Sequence, residues 1–394
     1  MTNQVPRDEI RVALLYPLTG MEGAHVGQVA LFGMRTAVGL ARLRNGLQGW
    51  KVRLYPVDVQ SADTAHREAT RLLDEEHVGI IIGTNKSAFA VEASAVAAER
   101  GRIYLEANAA AGEITGRGSP LAFRLNSPPR DYALSAVDFP LEHLAPAWGI
   151  EPTALRVAAL GSDSAFGRAV NAAIVARCRE LGVPCVLDTV VSSAPGALEP
   201  AVARLIEAKP DVVYVSQSET AVLDQVAPLL TRVRPRALIG TGGWTRLTQT
   251  NWPVEAMEGI LTADTPFRPS SNLASLSDEA RSLEHIWQSA LDAHMYHTST
   301  DADCVFIAAM LLFGSVVAHS LSNEPHELAA AIRALDIPVG HTINGYGVRF
   351  DESGDNTRSF RAIAQWRDGR LVTVAPTFLA TQPLDPRPPA LARR

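Results

Sequence analysis

One strand–helix alternation occurs twice in this chain, and it restricts the fold more than any other feature of the sequence. The first series opens with IRVALLYPLTG at Ile10–Gly20, the second with LRVAALGSDSAFGR at Leu155–Arg168. Short β-branched runs separated by helical patterns predict parallel sheets with right-handed crossovers. In the first series, strands at Arg11–Tyr16, Lys51–Val57, Val78–Ile82 and Arg102–Leu105 alternate with helices over Val26–Asn45, Thr64–Glu76 and Ser87–Arg100. A continuous apolar run such as VGIII suits a strand covered on both faces.

The second series repeats the plan. Strands fall at Arg156–Leu160, Pro184–Val191, Asp211–Val215 and Arg236–Ile239, and helices at Ala165–Leu181, Leu198–Ala208 and Thr220–Val233. Ser164 reads as an N-cap and Gly182 as a left-handed stop. After Ala263 the pattern turns helical, over Asp278–His294, Asp301–Ser320 and Pro325–Leu335; these helices need an existing sheet to cover. Strands follow at Tyr346–Phe350, Ser359–Trp366 and Leu371–Ala375, the last two joined by the hairpin signal RDGR. Asn126–Pro129 reads as a linker, because a residue before proline avoids the helical region. The closing PLDPRPPALARR reads as a loosely ordered tail.

Composition excludes several function classes. A net charge of -6, with both signs scattered, offers no basic stripe for nucleic acid. Only about nine residues precede the first strand, too few for a DNA-binding headpiece. Three cysteines, Cys178, Cys185 and Cys304, without a CxxC, exclude a disulfide framework and a zinc ribbon. Buried free thiols are the favoured reading, with a Cys178–Cys185 pairing left open. Val305–Val317 is strongly apolar but too short to span a membrane, so it reads as a core helix. No signal peptide opens the chain as given; either a leader has been removed or the protein stays in the cytoplasm.

Enzyme signatures are absent. YPLTGMEGAHVG does not match GxGxxG, and neither a P-loop nor a GxSxG elbow occurs, so no catalytic residue and no cofactor are expected. His294 and His297, with Asp301 and Asp303, lie at a helix end and the next helix start. Asp301 reads better as an N-cap than as a ligand, so no metal site is expected.

Seven segments then point to a family: ALLYPLTGMEGAHVGQ, LYPVDVQSADTAHREATRLL, GIIIGTNKSAFAVEAS, EITGRGSPLAFRL, VAALGSDSAFGRAV, LIEAKPDVVYVS and GYGVRFDESGDN. In their order and spacing, over nearly all of residues 10–375, the chain resembles the type I periplasmic solute-binding proteins, in the leucine/isoleucine/valine-binding branch. The resemblance implies an α/β fold of two doubly wound parallel-sheet lobes with three hinge crossings, near Asn126–Pro129, Leu261–Asp264 and Gly340–Ile343. Lobe one takes 1–127 and 263–341, lobe two 128–262 and 342–378, and 379–394 is the tail. It further implies the solute-binding component of an ABC importer, which captures an amino acid or a related small carboxylate or amide, aromatic ones included, by hinge closure. The partners are then a small-molecule ligand and an ABC permease in the membrane, with no nucleic acid. The location is periplasmic, or extracellular and lipid-anchored, if a leader was removed, and cytoplasmic if Met1 is native. A cytoplasmic small-molecule sensor of the same fold, acting through a protein partner, is the alternative.

Ligands of open α/β sheets sit beyond the C-terminal strand ends. That selects Pro17–His25, with His25 a candidate contact, Gly83–Ser87 and Glu106–Ala110 in lobe one. A helix opening at Ser87 offers free amides and a positive dipole end to a carboxylate. By resemblance, Ser87, Ala88, Asn108 and Ala110 lie where that carboxylate and its neighbouring atoms are held; Ser87 also reads as a cap. In lobe two the loops are Ser162–Phe166, Ser216–Glu219 and Thr241–Trp244. Phe166 is in the place of an aromatic that either covers ligand or packs the lobe. Ser218 matches a position where amino-acid binders carry tyrosine. Gly242 falls where they carry a glutamate for the ligand's ammonium, which argues against α-amino-acid recognition. Glu106 is expected to pair with Arg124 or Lys86, or to accept from the ligand. Trp244 is expected to stack on a planar ligand or to cover the lobe-two core.

Overall fold

The computed structural model describes residues 8–20, 23–194, 196–217 and 220–393. The chain divides into two compact units, Met1–Pro128 with Leu276–Phe360 and Pro129–Ser275 with Arg361–Arg394. It therefore passes from one unit to the other three times, after Pro128, Ser275 and Phe360. The second passage comes later in the chain than 261–264, because the strand at Leu261–Asp264 is an interior member of the second sheet, and the third later than 340–343, because Ile343, Val348 and Phe350 are buried in the first unit's core.

The first unit is built on five parallel strands: β1 (Glu9–Tyr16), β2 (Lys51–Asp58), β3 (Ile80–Gly83), β4 (Ile103–Glu106) and β5 (Ala122–Arg124), in the order β2-β1-β3-β4-β5. Successive side chains of a strand point to opposite faces, so each strand feeds two cores. Val12, Leu14, Ile80, Ile82, Ile103 and Leu105 pack against helices Gln28–Asn45 and Thr300–Ala309. Ala13, Leu15, Ile81 and Tyr104 pack on the other face, against Ala62–Asp74 and Ser87–Glu99. The late helices Asp278–Ala293, Thr300–Ala309 and Pro325–Arg333 thus find the cover that their sequence required. The helical run Thr300–His319 is 20 residues long and apolar enough to cross a membrane, but 78% of its most apolar window is buried inside the protein. Ser299, not Asp301, is its N-cap: the Ser299 hydroxyl accepts from Ala302 N, which leaves Asp301 in the first turn.

The second unit carries seven strands: β6 (Val157–Ser162), β7 (Cys185–Val191), β8 (Val212–Ser216), β9 (Ala237–Thr241), β10 (Leu261–Asp264), β11 (Ala362–Arg367) and β12 (Arg370–Ala375). Their order is β12-β11-β10-β9-β8-β6-β7, with β11 and β12 antiparallel. Asp368 (φ 48°) and Gly369 (φ 70°) both take left-handed backbone in the β11–β12 turn, as a two-residue hairpin loop demands. The helix Ala165–Leu181 is capped by Ser164, which accepts from Gly167 N at 3.1 Å, and stops at left-handed Gly182. Cys178, Cys185 and Cys304 are free thiols; Cys178 and Cys304 are buried, and the Cys185 thiol donates to Leu187 O at 3.7 Å.

Two expectations about the C-terminal region change. Tyr346–Phe350 forms only isolated bridges, Ile337 to Val348 and Phe350 to Asn356, while the edge of β5 is taken by the bridge from Arg124 to Asp355. The Pro-rich tail is anchored: Trp148 Nε1 donates to Pro386 O at 2.7 Å, Gln365 Nε2 to Asp385 O at 2.9 Å, and Ala390 N to Glu258 O at 2.8 Å.

Candidate functional site

The first unit brings two loops together at the C-terminal edge of its sheet. β3 ends at Gly83, and residues 84–86 lead into the helix Ser87–Glu99. β4 ends at Glu106, and 107–111 follow. The loops join where Ala111 N donates to Ser87 Oγ at 3.2 Å. Ser87 is the first helical residue, so it does not cap: Lys86 holds the N-cap position, without a side-chain bond. Among the described residues, the amides of Ser87, Ala88 and Ala110 find no acceptor, and the Ser87 hydroxyl proton is uncommitted. Phe89 and Ala90 amides return to Lys86 O, both at 3.0 Å.

Glu106 lies beneath these loops and is fully buried. Its Oε2 accepts from Thr84 N at 2.7 Å and from the Tyr104 hydroxyl at 2.6 Å. Its Oε1 accepts from Asn108 N at 2.8 Å and Ala109 N at 2.7 Å. Burial pushes its pKa up to about 8, against the pull of these four donors toward the ionised form. Tyr104 and Tyr16, also fully buried, have phenols raised well above their ordinary value, chiefly by the same loss of water.

The expected pairing of Glu106 with Arg124 is replaced by these donors. Arg124 belongs to Asp355, whose Oδ1 accepts from its Nε at 2.9 Å and its Nη2 at 2.7 Å. Its Nη1 donates to Ala110 O at 2.8 Å and Ala111 O at 2.7 Å, which fixes the second loop from behind. Asp355 can reach Arg124 because Gly354 (φ 93°) passes so close to β5 that a Cβ would lie 2.0 Å from Ala122 O.

Asn108 sits in the expected loop, but its side chain turns inward, donating to the Tyr16 hydroxyl and to Asp301 O at 3.1 Å. Its carbonyl accepts from Asn126 Nδ2 at 2.9 Å. The loop after β1 is tied down by Asp58, which sequence reasoning passed over. Asp58 Oδ1 accepts from Leu18 N at 2.7 Å and Oδ2 from Thr19 Oγ1 at 2.5 Å. Burial opposes its ionisation, yet the hydrogen bonds prevail and hold its carboxyl below the usual range. A strand-end acid followed by a glutamine two residues later, as in DVQ, is the local signal. The side chain of His25, and residues Ser218 and Glu219, lie outside the described residues.

In the second unit Trp244 does not face outward to stack on a planar ligand. Its ring is fully buried among Leu238, Leu247, Trp252 and Met257, with Trp252 edge-on at 6.0 Å. It lies flat on Gly240, where a Cβ would come within 1.8 Å of Trp244 Cδ2. Its carbonyl accepts from Trp366 Nε1 at 3.0 Å. Phe166 is half-buried and edge-on to Tyr132 at 5.5 Å, so it packs within its own unit.

Sequence reasoning missed a charge pair at this strand edge. Asp264, the last residue of β10, accepts from Arg361 Nη1 at 3.2 Å, Thr265 N at 2.8 Å and Gly242 N at 3.2 Å. The Arg361 guanidinium lies 4.0 Å from the Tyr132 ring centroid. Gly242 thus offers its amide to an acid that comes from the neighbouring strand.

A profile of the periplasmic binding protein family matches residues 9–370. A Brucella abortus protein named Leu/Ile/Val-binding protein homolog 8 is 30% identical over 373 residues, covering 93% of this chain and 91% of its own. An ABC transporter substrate-binding protein from Desulfitobacterium hafniense, solved with leucine, superposes with a TM-score of 0.72 at 18% identity, covering 93% of this chain and 99% of its own. An ABC transporter solute-binding protein from Rhodopseudomonas palustris, solved with 3,4-dihydroxy benzoic acid, gives 0.67 at 19% identity, covering 93% and 96%.

Proposed function

The chain belongs to the periplasmic binding protein family, in the branch of the Leu/Ile/Val-binding proteins, and from that premise we propose that it is the solute-binding component of an ABC importer. Its ligand is an amino acid or a related small carboxylate or amide. It performs no chemistry on that ligand, and acts on the periplasmic or extracellular side of a membrane permease.

One observation carries the reading: the uncommitted amides of Ser87, Ala88 and Ala110, with the Ser87 hydroxyl, on two joined loops at the C-terminal edge of a parallel sheet. Amides at a helix start present partial positive charge and fixed donors, which suit a carboxylate. Leucine and 3,4-dihydroxy benzoic acid, held by two solved relatives, share that group. Trp244 gives no support to a planar ligand, since it belongs to the core. The ligand binds first to the loops of unit one. Movement about the three chain passages then encloses it against unit two, and ligand shifts an open–closed equilibrium by its preference for the closed state. The permease reads the closed form.

A thermal-shift panel of amino acids, aromatic carboxylates and amides tests the reading. A ligand at 100 times its dissociation constant adds about 2.7 kcal/mol to stability. One or more carboxylates stabilise the protein if the reading holds; no stabilisation by any solute in the panel contradicts it.

A further inference from the structure

We infer that Glu106 is a positioning residue: it locks the loop after β3 to the loop after β4, and so sets the donors that meet the ligand without touching the ligand itself. The inference rests on the function proposed above for those loops. Three facts support it. Glu106 is fully buried at the end of β4, inside a four-donor shell. Its two oxygens divide the work: Oε2 takes Thr84 N from one loop, while Oε1 takes Asn108 N and Ala109 N from the other. The amides it fixes lie on the same two loops as those that remain uncommitted: Ala109 directly precedes Ala110, and Thr84 opens the three-residue link into the helix that starts at Ser87.

A carboxylate suits this place better than the neutral side chains of similar size. In the ionised form each oxygen accepts two hydrogen bonds, and three of the donors are backbone amides with no alternative acceptor in the fold. Glutamine offers one accepting oxygen; its amide nitrogen donates. Turned with the oxygen toward Asn108 and Ala109, it leaves Thr84 N facing an N–H group. Alanine leaves all three amides without an acceptor. The second loop keeps its rear support in either variant, because Arg124 still holds Ala110 O and Ala111 O. The two substitutions therefore give different patterns, which a general loss of stability does not.

The test is amide-resolved hydrogen exchange on the ligand-free full chain, for wild type, Glu106→Gln and Glu106→Ala, with the amides of Ile80–Ile82 as internal reference. In Glu106→Gln, Thr84 exchanges at least tenfold faster while Asn108 and Ala109 stay protected. In Glu106→Ala all three speed up at least tenfold, and the reference amides hold. Unchanged exchange in both variants, or a uniform rise that includes the reference, overturns the positioning role. Calorimetric titration with leucine and with 3,4-dihydroxybenzoate then separates the two claims. Affinity at least tenfold weaker in Glu106→Ala, and less weakened in Glu106→Gln, supports the action on ligand through the loops. Wild-type affinity in both variants overturns it. If wild type takes up neither probe while the exchange pattern appears, Glu106 locks the loops and the assignment of those loops to these ligands fails.

Discussion

Glu106 Oε2 accepts the amide proton of Thr84 at 2.7 Å, a bond between residues 22 apart that ties two neighbouring strand ends together. Everything proposed for the first unit's loops depends on such ties. They place backbone donors at a helix start and leave some of them unspent.

The raised pKa of Glu106 has a sign that can be measured. Burial in the folded protein pushes the group up to about 8 from its ordinary 4.5. The folded protein therefore binds more protons than the unfolded chain between those values, and stability falls as pH rises through that window. The slope reaches at most about 1.4 kcal/mol per pH unit, the value for one proton. Tyr16 and Tyr104 beside it titrate far higher and add nothing there. Urea unfolding from pH 5 to 9 should show this decline, and Glu106→Gln should flatten it. A stability that rises with pH across the window in wild type, with no difference in the variant, contradicts the burial argument.

Ser87→Ala removes a hydroxyl that accepts from Ala111 N and keeps its own proton free. Carboxylate affinity should weaken by about 1–3 kcal/mol, the cost of an unmatched buried hydrogen-bond partner. Calorimetry with whichever carboxylate the thermal panel identifies reads this directly. Unchanged affinity moves the site away from this helix start.

Trp244→Ala should act on stability before it acts on binding. Removal of a fully buried aromatic costs about 3–5 kcal/mol, through lost burial and the cavity left behind. Gly240→Ala should also destabilise, because the tryptophan ring occupies the space of the new methyl group. Denaturant midpoints check both. A Trp244→Ala protein with wild-type stability and lost affinity would restore the stacking role.

Local patterns made the elements legible, while side-chain direction at the strand ends was not. VGIII, the Ser164 and Gly182 signals and RDGR each state their structure within a few residues, through burial on both faces, capping and turn geometry. β5 escaped notice because Ala122–Arg124 is three residues long and is held partly by Gly354 and Asp355, about 230 positions away. Trp244 and Glu106 both stand out in the sequence. Their roles depend on partners from other strands: Gly240, Trp252 and Trp366 for the tryptophan, Thr84 and Tyr104 for the acid. Asp264 and Arg361 looked unremarkable for the same reason, since their pairing follows from β10 lying beside β11.

Solute capture through a carboxylate is tested most directly by calorimetric titration of the purified protein with leucine, 3,4-dihydroxybenzoate and the methyl ester of each. At least one acid should bind one to one, with micromolar or tighter affinity of about 8 kcal/mol or more, and its ester at least tenfold more weakly. No binding by either acid, or equal affinity for acid and ester, would contradict it.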